Sequence, residues 1–445
     1  MVEDYILNKT KELFPRQLES ALHNPLLQGD EVTVLLGSRQ AGKTSILFRL
    51  IDFLIKQQKV RKSQIEYLDL EFPQLLSTIN GLYGKDFLDF LASRGMDTDK
   101  KCYVFIDEIH YLENPASFLK TIHDHFSQIN LTVSGSSSLQ IQNKFKDALT
   151  GRKNIFHVYP LSFSEYLTFK HSDLAEQKKD ISIKNILLKG DLPDLSTIRF
   201  VQDTFEKVFE EFTVYGGYPR PVLIPDVKER IRHLSEIYQS YVMKDIKDFA
   251  EIQNINAFNN MIAMLGHQTG SLINISELCT SLGISRPAVE HYLFLLENTF
   301  IITLLKPYFT NRRKEIVKSP KVYFDDTGLR NTAVRNFDPM DQRGDSGSLF
   351  ENAVYIQLHK KLDSMESLHY YRTKTKSEVD FVLKEKGVIP IEVKYSTFKE
   401  PRIPSGLRSF IKTYSPEYSF VICKDMWAKQ TLNSTEIFFI PGWAV

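Results

Sequence analysis

Runs of apolar residues too short for helices punctuate the first third of the chain. Val32 to Leu35, IEYLDLE (65–71), Cys102 to Ile106 and LTVSGSSS (131–138) each read as a strand. Between them the spacing turns helical, in ILFRLIDFLI (46–55) and FLKTIHDHFS (118–127), and residues 1–30 read as an amphipathic helical lead-in. Strands alternating with helices predict a parallel α/β sheet, with ligand chemistry at the carboxyl ends of its strands. From about residue 251 the pattern changes. A helix at 276–282 meets Gly283 as its cap, Ser285 caps the next helix, and Pro287 lies in its first turn. Val289, Tyr292, Leu293 and Leu296 then form one buried stripe, and FIITLL (300–305) follows as a strand. Near the end, a helix begins at LFENAVYIQL, and Glu378–Leu383 and Ile389–Val393 form a hairpin turning at Gly387.

The first strand runs straight into Gly37-Ser38-Arg39-Gln40-Ala41-Gly42-Lys43-Thr44-Ser45, and a helix follows. That is the context of a phosphate-binding loop. Gly37 and Gly42 let the loop curl and turn backbone N–H groups towards a phosphate, and the helix N-terminus adds to the field. Lys43 would reach the β- and γ-phosphates of ATP, and the Thr44 hydroxyl would ligate Mg²⁺. The strand CYVFID ends in Asp107-Glu108. An apolar strand closed by two acids suits a nucleotide hydrolase: Asp107 binds Mg²⁺, and Glu108 is the general base.

A length of 445 residues suggests several domains, and 42% hydrophobic with 25% charged residues is ordinary for a globular protein. A net charge of +1 leaves nucleic-acid affinity to local patches. Cys102, Cys279 and Cys423 are scattered, making neither a metal cluster nor a disulfide framework, which fits a reducing cytoplasm. The acidic start MVEDYILNKTKELF does not read as a signal peptide. The best apolar run, 293–305, is broken by Glu297 and Asn298, so no membrane span is expected.

Phosphate loop, acid pair and a third strand ending in serines together resemble an AAA+ ATPase. The resemblance implies that Ser136, with Ser134 and Ser137 as alternatives, senses the γ-phosphate. It makes Arg152, just before the strand FHVY, an arginine finger reaching a neighbour's ATP, and hence implies a homo-oligomer. PLSFSEY, Gly216-Gly217-Tyr218-Pro219 and YQSYVMKDI are similar to a prokaryotic group of such ATPases with a further C-terminal region. Two glycines before Tyr-Pro also predict a tight turn between helices.

The helix pair and strand after 251 look like a winged helix. Arg312, Arg313, Lys314, Lys318 and Lys321, beside Tyr308 and Phe309, would be its basic wing on DNA phosphates. The second helix offers Arg286 and His291, too little for base-specific reading, and winged helices also serve protein contacts. Asp380 and Glu392-x-Lys394, with the helical Glu351 upstream, follow the pattern of the PD-(D/E)xK restriction-endonuclease-like fold, except that Val379 replaces the motif's proline. Glu392 and Lys394 share one strand face, and Asp380 on the partner strand can meet Glu392 there. Asp380 and Glu392 would hold Mg²⁺ or Mn²⁺ while Lys394 orients or activates water.

The expected fold class is α/β: a P-loop AAA+ parallel sheet (1–160), a helical lid (161–250), a winged helix (251–335) and a restriction-endonuclease-like domain (336–445). The expected function is an Mg²⁺-dependent ATPase that binds and remodels or processes DNA, branched DNA included, with a metal-dependent endonuclease site. The alternative is an ATP-controlled regulatory or defence switch, whose nuclease-like domain is an inactive platform for protein or DNA.

Overall fold

The computed structural model describes residues 4–136, 151–240, 252, 254–309, 319–362, 365–385 and 387–445. They fall into two compact units, one built on Met1–Pro160 and one on the chain from Leu161 onward, with short pieces such as Asn298–Phe300 going with the first.

The first unit is a parallel sheet of β1 (Val32–Gly37), β2 (Ile65–Asp69), β3 (Cys102–Asp107), β4 (Ile129–Ser136) and β5 (Lys153–His157), in the order β2-β3-β4-β1-β5. β1, β3 and β4 are buried at every position. A sheet covered on both faces produces such unbroken apolar runs. Alternate residues go to opposite faces. Val32, Val34, Val104, Ile106, Leu131 and Val133 pack with Phe118, Leu119 and Ile122 of the helix Pro115–His125. Leu35, Tyr103 and Phe105 meet Ile46, Leu47, Leu50, Ile51 and Leu54 of the helix Lys43–Lys56. Fully burying each of those side chains contributes roughly 2 kcal/mol. Gly37 is required for a reason other than loop curvature: a Cβ there would sit 2.1 Å from the carbonyl oxygen of Val158. Its φ is not positive, whereas Gly42 stands at φ +101°.

In the second unit, helices between Phe163 and Ile237 lead to Ile255–His267, Ile275–Leu282 and Arg286–Asn298. An antiparallel pair follows, β6 (Ile302–Leu305) with β7 (Lys321–Phe324). Gly283 caps its helix in the left-handed region at φ +64°. After the helices Thr327–Val334 and Ser346–Lys360 comes a six-stranded mixed sheet: β8 (Ser367–Arg372), β9 (Glu378–Lys384), β10 (Val388–Val393), β11 (Tyr418–Cys423), β12 (Ala428–Leu432) and β13 (Thr435–Pro441), ordered β12-β13-β11-β10-β9-β8. One face of this sheet (Phe420, Ile422, Phe438, Ile440) shares a single core with Phe163, Phe205, Phe209 and Phe212. The segment read as a lid and the C-terminal sheet are thus one hydrophobic body. The helix Ser405–Tyr414 covers the other face, over Val421, Ile437 and Phe439.

Gly216-Gly217 marks a backbone crossing. Asp326 accepts the Gly217 N–H at 2.7 Å and the Leu329 N–H at 3.0 Å. A Cβ on Gly328 would lie 2.2 Å from the Tyr215 oxygen, and one on Gly217 2.3 Å from that of Leu161. Burial pushes the Asp326 carboxyl up, and the backbone donors oppose that shift.

Asp326→Ala strands two buried N–H groups and should destabilise this unit by about 2–5 kcal/mol, with Asp326→Asn milder. Both tryptophans, Trp427 and Trp443, lie in this unit, so the midpoint of urea unfolding followed by their fluorescence checks it. An unchanged midpoint would show that the crossing is held by other contacts.

Candidate functional site

β1 delivers the loop Gly37–Ser45 to the carboxyl edge of the first sheet. Ser38 and Ala41 are fully buried, Gly42 takes a left-handed turn, and Gln40 sits at φ 59°. Lys43 opens the helix with its Nζ inside the loop, donating to the carbonyls of Gly37 at 3.1 Å and Ser38 at 3.2 Å. A guanidinium nitrogen of Arg39 donates to the Tyr111 hydroxyl at 3.3 Å. From outside, Arg16 donates to the carbonyl of Ala41 and to that of Tyr159, each at 2.8 Å.

Asp107 ends β3 at the same edge, 3% exposed. Its Oδ2 accepts from the Thr44 hydroxyl at 2.6 Å and from Tyr67 at 3.0 Å, and its Oδ1 accepts from the Ser134 hydroxyl. The register aligns Asp69 with Asp107 and Gly37 with Ser136, and β4 and β1 run about two residues past the ends of β2 and β3. Glu108 stands at φ 54°, an uncommon region for a side chain this long, which turns it out of the strand. Its carboxylate lies 3.8 Å from Lys43 and 3.0 Å from His110, and accepts the Ser136 N–H at 3.2 Å. Burial pushes the Glu108 carboxyl up, but Lys43 and His110 outweigh it and hold the group down at about 2.

The Ser136 hydroxyl sits 3.4 Å from His110 Nε2, while Ser134 is the serine bound to Asp107; Ser137 lies outside the described residues. His110, Tyr67 and the Ser134–Asp107 contact are not among the residues that the sequence patterns single out. The visible signal for His110 is its position two residues after Glu108; Tyr67 needs the sheet order. Arg152 precedes β5 at its amino end, where its carbonyl accepts from Val32 N–H, and its Nε donates to Asp124 at 2.7 Å. The six residues of β1 separate it from the loop by roughly 16–20 Å. Arg152 therefore cannot serve the ATP of its own chain.

A hydroxyl and a carboxylate oxygen side by side, Thr44 with Asp107, are the donor set that Mg²⁺ favours, and a lysine in the loop beside them fits a bound triphosphate. The first site thus fits ATP and Mg²⁺.

A second cluster forms in the C-terminal unit. Asp380 accepts the Val393 N–H at 2.8 Å, and Lys394 Nζ lies 2.8 Å from Glu392 and 3.9 Å from Asp380. Glu351 accepts from Tyr323 at 2.5 Å. Glu351, Asp380, Glu392 and Lys394 are thus brought together. One expectation needs correction. Lys321, read as part of a basic wing, is 2% exposed and lies among these acids, 2.6 Å from Glu378 and 3.6 Å from Glu351 and Asp380. Asp380 and Glu392, the acids expected to hold Mg²⁺ or Mn²⁺, both have lysines beside them: Lys321 at 3.6 Å from Asp380 and Lys394 at 2.8 Å from Glu392. Among the described residues, no group of three or more His, Cys, Asp or Glu is disposed to hold a metal ion. Arg286 is exposed and pairs with Glu290 at 2.8 Å, while Arg312, Arg313, Lys314 and Lys318 lie outside the described residues. No helix among the described residues is long and apolar enough to cross a membrane.

Residues 29–167 match the family described as an AAA domain. Residues 206–340 and 346–442 match two domains of unknown function, DUF8612 and DUF4143. An uncharacterised protein of Haemophilus influenzae is 24% identical over 421 residues, covering 93% of this chain and 94% of its own. An uncharacterised protein of Methanocaldococcus jannaschii is 26% identical over 360 residues, covering 80% of this chain and 72% of its own. Among solved structures, a Walker-type ATPase of Pyrococcus abyssi aligns at 13% identity and a TM-score of 0.44, covering 73% of this chain and 96% of that one. The ORC2 protein of Aeropyrum pernix aligns at 13% and 0.40, covering 79% and 94%. The stretch that matches the AAA domain family holds both the loop Gly37–Ser45 and the acid pair Asp107-Glu108.

Lys43→Ala should abolish ATP binding, because it removes the one loop charge aimed at the phosphates. Glu108→Gln should keep binding and slow turnover by about 10²–10⁴-fold. Binding of a fluorescent ATP analogue together with phosphate release checks both; undiminished turnover in Glu108→Gln removes Glu108 as the base.

Proposed function

We propose that this chain hydrolyses ATP in its first unit and uses the cycle to act on DNA held by its second. The observation that carries the ATPase part is the meeting of Lys43, Thr44, Asp107 and Glu108 at one sheet edge. Thr44 and Asp107 would hold Mg²⁺, which when bound offsets the charge of the β- and γ-phosphates. Lys43 moves from the Gly37 and Ser38 carbonyls to those phosphates. That move takes away the main charge holding Glu108 down, so Glu108 becomes a stronger base only once ATP is present. Glu108 then accepts the proton of the attacking water, while His110 and the Ser136 N–H orient it. Ser136 remains the proposed γ-phosphate sensor, with Ser134 better placed to steady Asp107.

Support for the DNA part is the helix pair Ile275–Leu282 and Arg286–Asn298 followed by the β6–β7 hairpin, an order that suits a winged helix. The wing residues Arg312, Arg313, Lys314 and Lys318 enter from sequence alone. The helix before β8, the antiparallel β8-β9-β10 and the parallel β11 suit a restriction-endonuclease-like core. The buried Lys321 favours a holding platform there over a metal-dependent cutting site. If DNA is the partner, duplex, forked or four-way DNA should raise ATP turnover severalfold; turnover unchanged by every DNA moves the reading to an ATP-controlled switch with a protein partner.

Replacing Arg312, Arg313 and Lys314 with alanine should weaken binding alike for all DNA sequences and lower the salt slope by about 0.9 for each phosphate no longer neutralised. A sequence-dependent loss in a filter or anisotropy assay would exclude a phosphate-gripping wing.

Arg152 serves a neighbouring subunit in this proposal. Mixing Arg152→Ala with Lys43→Ala protein should therefore restore part of the ATPase activity at mixed interfaces. Mixed oligomers of verified composition that stay inactive would leave Arg152 with its Asp124 ion pair alone.

A further inference from the structure

Lys321 opens β7 and is nearly sealed from solvent, and its surroundings are those of an ion rather than of a surface lysine. Three carboxylates from two elements face its Nζ: Glu378 at 2.6 Å and Asp380 at 3.6 Å on β9, and Glu351 at 3.6 Å on the helix Ser346–Lys360. Tyr323, two residues along β7 and so on the same side, donates to Glu351. Across the cluster, Lys394 holds Glu392 through Oε1. The other oxygen of that carboxylate, Oε2, is buried and finds no hydrogen-bond donor, although the residue is only 6% exposed.

We propose that the Lys321 ammonium occupies the place a divalent cation would take among Glu351, Asp380 and Glu392, so that this site carries its own cation and binds no metal, and that removing the ammonium opens a divalent-metal site there.

Charge and distance carry the argument. Glu351, Glu378, Asp380 and Glu392 are balanced in part by Lys321 and Lys394, and acids gathered in a buried place need such cations. A Mg²⁺ ion must stand about 2.0–2.1 Å from its oxygens. An ion bound between Glu351 and Asp380 would therefore crowd the Lys321 nitrogen, which already lies 3.6 Å from both, and would repel it. The Glu392 oxygen left without a donor belongs to the same cluster, joined to Asp380 through Lys394.

The test is titration of the nucleotide-free full-length chain with Mn²⁺, with free metal followed by electron paramagnetic resonance. In the wild-type background, Asp380→Asn should leave the amount of bound Mn²⁺ unchanged, because Lys321 excludes the metal. Lys321→Met keeps the side-chain volume without the charge. It should bind one further Mn²⁺, and Lys321→Met/Asp380→Asn should lose it again. Mn²⁺ should also raise the Tm of Lys321→Met and leave the wild-type transition reported by tryptophan unmoved. A wild-type Mn²⁺ that disappears in Asp380→Asn overturns the proposal, as does a folded Lys321→Met that gains none. Should Lys321→Met fail to fold, the comparison of wild type with Asp380→Asn decides alone.

Discussion

Three hydroxyl groups converge on the buried carboxylate of Asp107, and the nucleotide-binding unit depends on that convergence. They come from separate elements: Tyr67 on β2, Ser134 on β4, and Thr44 on the helix after the loop. No local stretch of chain could assemble them. The order β2-β3-β4-β1-β5 does so by placing β3 between the two strands that supply partners, with the loop one strand further on. Hydroxyls suit a site that must exchange partners. They satisfy a carboxylate without neutralising it, so Asp107 keeps the charge that draws a cation when nucleotide arrives. Lys43 is parked in the same way on backbone oxygens that give it up readily.

The second unit handles one cluster of acids by the opposite means. Full ammonium groups meet Glu351, Glu378, Asp380 and Glu392, and the Tyr323 hydroxyl joins them at Glu351. The same principle runs through Asp345, which pairs with Arg330 and Arg343 at 2.6 Å each and is held well below the usual carboxylate range against the effect of burial. Ion pairs of this kind fix geometry and discourage exchange. One unit is thus prepared for a visiting ion, and the other already contains its counter-charges.

Much of the first unit is legible in sequence because parallel strands buried on both faces leave continuous apolar runs, and a glycine-framed loop has few other uses. Val32–Gly37, Cys102–Asp107 and the serines ending β4 fall where the patterns put them. The hairpin Glu378–Val393 is legible too, since alternation fixes which side Asp380 and Glu392 share. What cannot be read depends on contacts between distant positions. In sequence Lys321 is one more basic residue after Arg312 and Lys314; only the packing of β7 beside β9 and the helix of Glu351 turns it inward. The close pass of Gly37 against Val158, and the core shared by Phe205 or Phe209 with the C-terminal sheet, likewise leave no local signature.

The contacts of Arg16 carry a mechanical meaning. One guanidinium grips Ala41, inside the phosphate loop, and Tyr159, next to the last residue of the first unit's sheet-bearing segment. Gly37 and Val158 touch along the same line, with the Val158 N–H bonded to Leu36. Loop and exit strand are therefore yoked. If the loop tightens around triphosphate and slackens around diphosphate, the guanidinium shared by the two carbonyls would carry part of that displacement to Tyr159. The stroke of such an engine would begin at the point where the chain leaves its nucleotide-binding sheet.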